Sequence, residues 1–390
     1  MKKLVLFVDD DPKILAGLRR SLRGLRNEWE MVFTEGGEAA LEQCGRASFD
    51  AVVSDARMPG MEGPVLLGKV RELYPDAARF ILSGHCSRGS VLDCVAVAHQ
   101  FLNKPCESET LTSALRAVFK MREAFPDKTT RQTLSRIQWL PSPSRLWTEV
   151  AAESPGTTVG DLAAVIGRDV GMSAKVVQLV SSGFFGSPQR VASPAEAVRF
   201  LGLETVCSLF ARPADFATEM DPRRDESLER MNEHSLAVAA TARRIAETLT
   251  EDRAWIGDAY LAGLLHEMGT LALGGGEGGC GDPSDWTTAA GFCENSVPDP
   301  GAYLAALWGL PEPVVQAIAF HRVPRQYGGE PLVPLTAVHV ADALLETASE
   351  FGEADQDRLA MDYLEKAACV EHLGRWRAIC DEFRLEGVAG

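Results

Sequence analysis

The chain has 390 residues, which is too long for a single small core and predicts two or three domains. Its formal net charge of −16 argues against a nucleic-acid-binding output, because contacts to phosphate need clustered Lys and Arg. No stretch reaches the ~18 apolar residues of a membrane span, and the first residues have a strand pattern instead of a signal-peptide pattern. The nine cysteines lack C-x-x-C spacing, which indicates reduced thiols, so we expect a cytoplasmic protein.

Residues 1–123 alternate strand-like and helix-like segments, which predicts an α/β domain. Four of the apolar runs are KLVLFVDD, DAVVSD, ARFILSG and HQFLNKP, and such short runs are typical of buried parallel strands. Asp11 directly precedes Pro12, which predicts that Asp11 caps the first helix. A helix rich in Leu, Ala and Val, over roughly 107–123, ends this region.

Polar side chains follow the apolar runs at the points where the strands are predicted to end. They are Asp9, Asp10, Asp55, Ser83 and Lys104. Because the carboxyl ends of parallel strands lie at one edge of a sheet, we expect these groups to meet in one crevice. Mg²⁺ prefers oxygen ligands, and the candidate ligands are Asp9, Asp10, Asp55 and the backbone carbonyl of Arg57. The set suits the transfer of a phosphoryl group to a carboxylate, which needs charge neutralisation more than acid–base catalysis.

The order and spacing of four motifs in this region resemble the receiver domain of two-component response regulators. The motifs are Val8-Asp9-Asp10-Asp11-Pro12, Ser54-Asp55-Ala56-Arg57-Met58-Pro59-Gly60-Met61-Glu62-Gly63, Leu82-Ser83-Gly84 and Phe101-Leu102-Asn103-Lys104-Pro105. The resemblance implies a doubly wound parallel sheet of five strands in the order 2-1-3-4-5. It also implies bound Mg²⁺ and a cognate sensor histidine kinase as the phosphoryl donor.

The same resemblance implies what the acidic and basic residues of the motifs do. Asp55 would accept the phosphoryl group, Asp9 and Asp10 would hold Mg²⁺, and Lys104 would pair with the phosphoryl oxygens. Taken alone, Lys104 also fits a solvated loop charge, so its implied role depends on the other motifs.

Two further residues match the conformational switch of receiver domains. Ser83 would hydrogen-bond the phosphoryl group, and it stands where Thr is common, which keeps the hydroxyl donor. Phe101 matches the aromatic residue whose rotamer follows that hydroxyl, and it stands where Tyr is common, so it lacks a hydroxyl of its own. Taken alone, Phe101 also fits a core aromatic residue.

The rest of the chain has helical patterns. Residues 124–140 are predicted to be a linker, because FPDKTTRQ is polar and Trp139-Leu140-Pro141-Ser142-Pro143 interrupts any helix. From residue 141 to about residue 385, apolar residues recur at three- and four-residue spacing, which predicts an all-α domain. Within it, residues 274–301 contain the Gly-rich stretch GGGEGGCGDPSDW and are predicted to form a loop.

Histidines in the helical region point to a second resemblance. His234, His266 and His321 lie in helical contexts, and Val338-His339-Val340-Ala341-Asp342 follows. This arrangement resembles the HD superfamily, in which a His, a His-Asp doublet and a distant Asp hold metal ions for phosphohydrolysis.

The segments that precede these histidines narrow the resemblance to the HDOD family, whose members are generally regarded as non-catalytic signalling or scaffolding modules. The matching segments are LPSPSRLWTEVAAE, TVGDLAAVIGRDVGMSAKVVQLVSSGFFG, SPAEAVRFLGLETVCSLFA, Trp308-Gly309-Leu310-Pro311 and Ala317-Ile318-Ala319-Phe320-His321.

The helical domain departs from the active HD pattern. The doublet is His266-Glu267, Gly269-Thr270 stands where active relatives often carry Gly-Lys, and Asp299-Pro300-Gly301 stands where a His is expected. Too few ligands remain for two metal ions, so we expect no metal in this domain.

Other interpretations of the same residues stay open. His234, His266, Glu267 and Asp342 form a second candidate site for one weakly bound ion. His266 also fits a hydrogen-bonded core histidine, and Glu267 fits a partner for a nearby Arg. His321 and His339 also fit caps or dipole partners at helix ends.

The sequence therefore predicts a response regulator that is phosphorylated on Asp55 and acts through an HDOD output. We expect a downstream signalling protein as a partner, and binding to neither nucleic acid nor a membrane. The sequence leaves open whether the chain forms a homodimer. One alternative is a phosphorylation-controlled phosphodiesterase for cyclic dinucleotides, which requires bound metal near His234 and His266. The other is a module that binds a nucleotide without hydrolysing it.

Overall fold

The computed structural model describes residues 2–84, 93–125, 127–151, 157–182, 190–210, 222–274, 289, 291–294, 296–331, 333–346 and 358–388. The chain forms two compact units. The first unit consists of Met1–Gln138, Gln178–Gln189 and Ala306–Gly309. The second unit consists of Trp139–Val177, Arg190–Ala305 and Leu310–Gly390.

A parallel sheet of five strands forms the centre of the first unit, and its order β2-β1-β3-β4-β5 confirms the predicted topology. The strands are β1 (Lys3–Asp9), β2 (Trp29–Glu35), β3 (Ala51–Asp55), β4 (Ala78–Ser83) and β5 (Gln100–Asn103). The side chains of β3 and β4 are buried along their whole length, as expected for strands that are covered on both faces.

Five helices of the first unit lie wholly within the described residues. They are α1 (Pro12–Ser21), α2 (Gly37–Cys44), α3 (Gly63–Leu73), α4 (Ser108–Ala124) and α5 (Lys128–Arg136). The Asp11 carboxylate accepts the backbone N–H of Lys13 at 2.8 Å, which confirms the predicted cap of α1. The connection from β4 to β5 includes residues 85–92, which lie outside the described residues.

The segment that the sequence predicts to be a linker contains α5. Arg79 on β4 is fully buried, and its Nη2 donates to the backbone carbonyl of Ser135 on α5 at 2.6 Å. Its Nε donates to the carbonyl of Val97 at 2.7 Å. The buried guanidinium therefore ties α5 to the sheet, and the first unit continues past residue 123.

Every regular element described beyond α5 is helical, which confirms the predicted all-α region. The helices are α6 (Ser144–Ala151), α7 (Val159–Ile166), α8 (Val170–Ser181), α9 (Pro194–Leu201), α10 (Leu203–Phe210), α11 (Pro222–Leu249), α12 (Arg253–Leu265), α13 (Met268–Gly274), α14 (Pro300–Leu307), α15 (Glu312–Phe320), α16 (Val333–Glu346), α17 (Met361–Lys366) and α18 (Leu373–Val388). Residues 275–288 of the predicted Gly-rich loop lie outside the described residues.

Four of these helices, α11, α12, α15 and α16, pack against one another in the second unit. The close approach of α11 and α12 depends on Gly263, because a Cβ atom there would lie 2.8 Å from the Cα of Ala239. This approach brings the end of α12 next to the middle of α11, where two of the candidate histidines lie.

The seven cysteines in the described part of the chain are free thiols. None of the helices formed by the described residues combines the length and the apolar character that a membrane crossing requires.

Candidate functional sites

An acidic crevice lies at the carboxyl edge of the sheet in the first unit. Asp9 ends β1 and Asp55 ends β3, and both are buried. The Nζ atom of Lys104, which directly follows β5, lies 2.6 Å from Oδ2 of Asp9 and also donates to Oδ1 of Asp55. The structure thus brings together three residues that are 46 to 95 positions apart in the sequence.

Backbone hydrogen bonds fix the two buried carboxylates. Asp55 accepts the N–H of Arg57 at 2.7 Å, and Asp9 accepts the N–H of Asp11 at 3.0 Å. Gly63 starts α3 directly against the end of β3, since a Cβ atom there would lie 2.1 Å from the backbone oxygen of Asp55. Main-chain contacts therefore position both carboxylates.

The charge of Lys104 is stabilised by its neighbours. Partial burial would lower the pKa of this ammonium group, but its hydrogen bonds to Asp55 and Asp9 outweigh that effect and raise the pKa. Lys104 is therefore charged at neutral pH, and it compensates one of the carboxylates in the crevice.

The residues of the crevice suit a divalent cation with oxygen ligands. Lys104 contacts the carboxylates of Asp9 and Asp55, and Asp10, which follows Asp9 directly, is exposed. Mg²⁺ binds such hard oxygen donors and retains several waters, for which the exposed Asp10 leaves room. The backbone carbonyl of Arg57 lies in the loop that the hydrogen bond to Asp55 holds in place.

The two predicted switch residues lie on neighbouring strands. Ser83 ends β4 and is paired in register with Asn103 on β5, and its backbone oxygen accepts the N–H of Lys104 at 2.7 Å. Phe101 lies on β5 with its ring buried. Its side chain is therefore in the packed interior, and a rotamer change would require the neighbouring residues to move.

A second cluster lies in the helical unit, where three ligand atoms form a small triangle. Nε2 of His234 on α11 lies 3.3 Å from Nε2 of His266, which caps α12. Oδ1 of Asp342 on α16 lies 3.2 Å from Nε2 of His234 and 3.4 Å from Nε2 of His266. A tetrahedral site with metal–ligand distances of about 2.0–2.1 Å places its ligand atoms roughly 3.3–3.4 Å apart, so the triangle fits one metal ion.

Backbone contacts orient His266 toward this triangle. Its Nδ1 lies 2.7 Å from the carbonyl of Gly263, which only accepts, so Nδ1 carries a proton and Nε2 is the ring atom that faces His234 and Asp342. Burial would raise the pKa of Asp342, but hydrogen bonds from His234 and His266 lower it well below the ordinary value. Asp342 is therefore an anion, as a metal ligand must be.

Glu267, the other residue of the doublet, is turned toward different partners. Its Oε1 accepts a hydrogen bond from Nη2 of Arg322, and its Oε2 accepts the hydroxyl of Thr270 at 2.6 Å. Burial would raise the pKa of Glu267, but the guanidinium of Arg322 lowers it to about 2. The sequence left open that Glu267 pairs with a nearby Arg, and the structure shows such an ion pair.

The sequence did not identify Arg322 or the position of His321 beside the cluster. One ligand atom of each of His266, Glu267 and His321 lies within 4.8 Å of the others. The available signal was the His321-Arg322 doublet directly after an apolar helix. His339 lies within α16 instead of at its end, and both of its ring nitrogens bond to backbone, to the His321 carbonyl and to the N–H of Ala360.

Three family models match parts of the chain. Residues 5–116 match the response regulator receiver domain, residues 140–276 match the HDOD domain, and residues 231–347 match the HD domain. The chain therefore contains a response regulator receiver domain, followed by a region that matches the HDOD and HD domains. The HD match includes His234, His266 and Asp342.

Individual relatives share parts of the chain. The transcriptional regulatory protein GlrR of Escherichia coli (strain K12) is 32% identical over 136 residues, which are 33% of this chain and 29% of that protein. An uncharacterized protein of Treponema pallidum (strain Nichols) is 28% identical over 223 residues, 52% of this chain and 42% of that protein. The chain thus spans less than half of the length of both relatives.

Among solved structures, the signal receiver domain of an HD domain-containing protein from Pseudomonas fluorescens Pf-5 is similar to the first unit. It is 26% identical and has a TM-score of 0.30, and the match covers 32% of this chain and 98% of that domain.

Proposed function

We propose that this chain is a two-component response regulator in which Asp55 accepts a phosphoryl group from a histidine kinase. The observation that supports this most directly is the ammonium group of Lys104 between the carboxylates of Asp9 and Asp55. A cation at this position neutralises charge on the phosphoryl group as it arrives, which is the main demand of phosphoryl transfer.

In the proposed reaction, a carboxylate oxygen of Asp55 attacks phosphorus. A P–O bond forms on Asp55 while the P–N bond to the kinase histidine breaks, and the electron pair of that bond returns to the imidazole. The N–H of Arg57, 2.7 Å from Oδ2 of Asp55, orients the attacking carboxylate. Bound Mg²⁺ supplies positive charge to the phosphoryl oxygens, and Asp9, Asp10, Asp55 and the Arg57 carbonyl are its proposed ligands.

The phosphoryl group would then be recognised by residues that follow the neighbouring strands. Lys104 exchanges a carboxylate partner for a phosphoryl oxygen, and the hydroxyl of Ser83 donates to another. Phe101 would repack after this change and alter the surface near β5. Residues 85–92, between β4 and β5, lie outside the described part of the chain.

We propose that the helical domain acts on a downstream signalling protein by binding and not by catalysis. The ion pair between Glu267 and Arg322 supports this, since it occupies a carboxylate that an active two-metal site would use. We favour neither the cyclic-dinucleotide phosphodiesterase nor the nucleotide-binding module. A homodimer remains a prediction.

DNA binding is not part of the proposal, although GlrR is a transcriptional regulator. The match covers 29% of that protein, and this chain has a net charge of −16. The proposed location is the cytoplasm, which the free thiols of the described cysteines favour.

Incubation of the full chain with acetyl phosphate and Mg²⁺ tests the proposal. We expect a phosphorylated species on a phosphate-affinity gel with the wild type, and none with Asp55→Asn or without Mg²⁺. Asp11→Asn is the matched control, because Asn caps a helix as well as Asp does, and it should label like the wild type. Labelling of Asp55→Asn at the wild-type rate would refute the assignment.

A further inference from the structure

A polar groove lies between α11 and α18, two helices of the second unit that pack against each other. The helices run in opposite directions, because Thr248 near the end of α11 accepts the ring N–H of Trp376 near the start of α18 at 2.8 Å. The groove has a volume of about 320 Å³. Small-molecule sites span about 300–1,000 Å³, so the groove has room for a small ligand. The described residues that line it do not include any histidine, so it is distinct from the histidine cluster.

The inner side of the groove is packed, and its polar group is already bonded. Ile379 of α18 is buried there, and Trp376 behind it is fully buried. The hydroxyl of Thr248 accepts from Trp376 and donates to the carbonyl of Ile245 at 2.7 Å. A ligand would therefore find apolar surface on this side, and charged side chains would have to provide its recognition.

Both acids that line the groove have a cationic partner. Nη1 of Arg244 lies 2.6 Å from Oε2 of Glu382, and Nε of Arg243 lies 3.2 Å from Oε1 of Glu247. The side chains of Arg244 and Glu382 are 41% and 58% exposed, and an ion pair with this exposure contributes little to stability. An anion that replaces Glu382 at Arg244 therefore sacrifices little.

Arg375 lines the same groove from α18 and differs from the other charged residues there. Within the described part of the chain it has neither an ion pair nor a hydrogen bond. Because both acids of the groove are paired, the charge of Arg375 is not compensated there, although the whole chain has a net charge of −16. The ring of Phe383, 5.5 Å from Cζ of Arg244, attracts the second guanidinium and favours a fixed position for it. Two guanidiniums, one from each helix, therefore line the groove.

We propose that this groove binds the phosphate group of a small molecule between Arg244 and Arg375. A guanidinium presents parallel N–H donors that match two phosphate oxygens, which makes arginine the residue best suited to this anion. On binding, Arg244 exchanges the carboxylate of Glu382 for a phosphate oxygen, and Arg375 gains its partner. The apolar surface at Ile379 would contact the organic part of a phosphate monoester. The inference does not depend on phosphorylation of Asp55.

Calorimetric titration of the full chain with inorganic phosphate and with glycerol 3-phosphate tests this inference and distinguishes free phosphate from a monoester. The buffer has low ionic strength and contains a chelator, so that no Mg²⁺ recruits phosphate to the receiver crevice. We expect saturable binding of at least one probe, and none of glycerol. Arg244→Gln and Arg375→Gln should each weaken binding by about ten-fold or more, because a charged donor is lost. Arg375→Lys, which keeps the charge but not the planar donors, should lie between Arg375→Gln and the wild type.

Two further variants separate a binding site from a general effect of charge. Glu382→Gln removes the competing carboxylate and should tighten binding by up to about five-fold, as expected for the loss of an exposed ion pair. Arg377→Gln is the matched control, because Arg377 is an exposed arginine of α18 outside the lining of the groove, and it should bind like the wild type.

Three results would overturn the inference. They are no saturable binding of either probe, equal weakening by Arg377→Gln and Arg375→Gln, and weakening by Lys104→Met but not by Arg375→Gln, which would place the phosphate in the receiver crevice. Arg375 and Arg377 are exposed, so their replacement leaves the packing of α18 intact.

Discussion

Lys104 places its ammonium group between the buried carboxylates of Asp9 and Asp55, and Asp10 adds a third negative charge next to them. The crevice therefore needs positive charge before any phosphoryl group arrives. In the proposed function a divalent cation and Lys104 would share this task, so the loss of one should make the domain more dependent on the other.

The Lys104→Met variant tests this dependence. In a chelating buffer we expect its free energy of unfolding to fall by about 1–3 kcal/mol, because two buried carboxylates lose a charged donor. Added Mg²⁺ should restore more stability to the variant than to the wild type. Urea unfolding with and without Mg²⁺ measures both effects, and Lys69→Met, an exposed lysine on α3, is the control. Equal Mg²⁺ stabilisation of all three proteins would contradict the prediction.

Lys175 on α8 is a second lysine whose environment has a measurable consequence. It is fully buried, and burial lowers its pKa to about 7. The ring of Trp139, 4.6 Å from Nζ, favours the charged form and acts in the opposite direction. An unfolded lysine has a pKa of about 10.4, so the unfolded chain binds more protons between these values and stability rises with pH there.

Replacement of Lys175 by Met should remove this pH dependence. We expect Lys175→Met to be more stable than the wild type at pH 7 by about 1–3 kcal/mol, because a buried charge is replaced by an apolar side chain. The difference should shrink as the pH rises and level off above about 10.4, where the wild-type amine is neutral in both states. Thermal unfolding at several pH values measures it, with the exposed Lys366→Met as control. A difference that stays constant with pH would count against the lowered pKa.

The residues differ in how far the sequence could predict their positions. Asp9, Asp55 and Lys104 end or follow short apolar runs. Because the ends of parallel strands lie at one edge of a sheet, this pattern was enough to predict that the three residues meet. The position of Arg322 could not be predicted in this way. Its partners Glu267 and Asp299 lie 55 and 23 positions earlier, and no local sequence pattern joins the three residues. Only the packing of the helices brings these three side chains together.

At the scale of the elements, the junction of β3 and α3 controls the position of Asp55. Gly63 is the first residue of α3, and its N–H donates to the carbonyl of Ala56 at 3.0 Å. The absence of a side chain lets the helix start directly against the strand. The helix cannot keep this position if the residue carries a Cβ atom.

The Gly63→Ala variant should therefore lose both stability and phosphorylation. We expect the free energy of unfolding to fall by about 1–3 kcal/mol, because the new methyl group overlaps the backbone of Asp55. The labelling rate with acetyl phosphate should fall as well, since the attacking carboxylate moves. Gly17→Ala is the matched control, as a Cβ atom in this part of α1 meets nothing within 4 Å, and it should be neutral or slightly stabilising. Wild-type labelling of Gly63→Ala would contradict this account of the junction.

The elements themselves were predictable to different degrees. The order of the five strands followed from the receiver motifs, and the helical character of residues 141–385 followed from three- and four-residue spacing. Helix α5 was not predicted, because FPDKTTRQ is polar and short. Its position depends on the buried Arg79, which reaches the carbonyl of Ser135 from β4. A tertiary contact therefore decided the structure of a segment whose local pattern favoured a linker.

At the scale of the whole molecule, the chain combines two sites with different ligands. The receiver crevice offers oxygen ligands and an ammonium group, which suits Mg²⁺ and phosphoryl transfer. The helical cluster offers imidazoles and one carboxylate, which suits a borderline metal ion. The ion pair between Arg322 and Glu267 lies beside this cluster. In the proposed division of roles, phosphoryl chemistry is confined to the receiver domain and the helical domain conveys its state by binding.

Chemical mapping of the phosphorylated residue is the most direct test of this division. The full chain is phosphorylated with acetyl phosphate and Mg²⁺ and reduced with borohydride, which converts an aspartyl phosphate into homoserine. Peptide mass spectrometry then locates the homoserine. We predict it at position 55 and nowhere else in the chain. Homoserine at position 9 or 10, or no conversion under conditions that give a labelled protein, would contradict the central assignment.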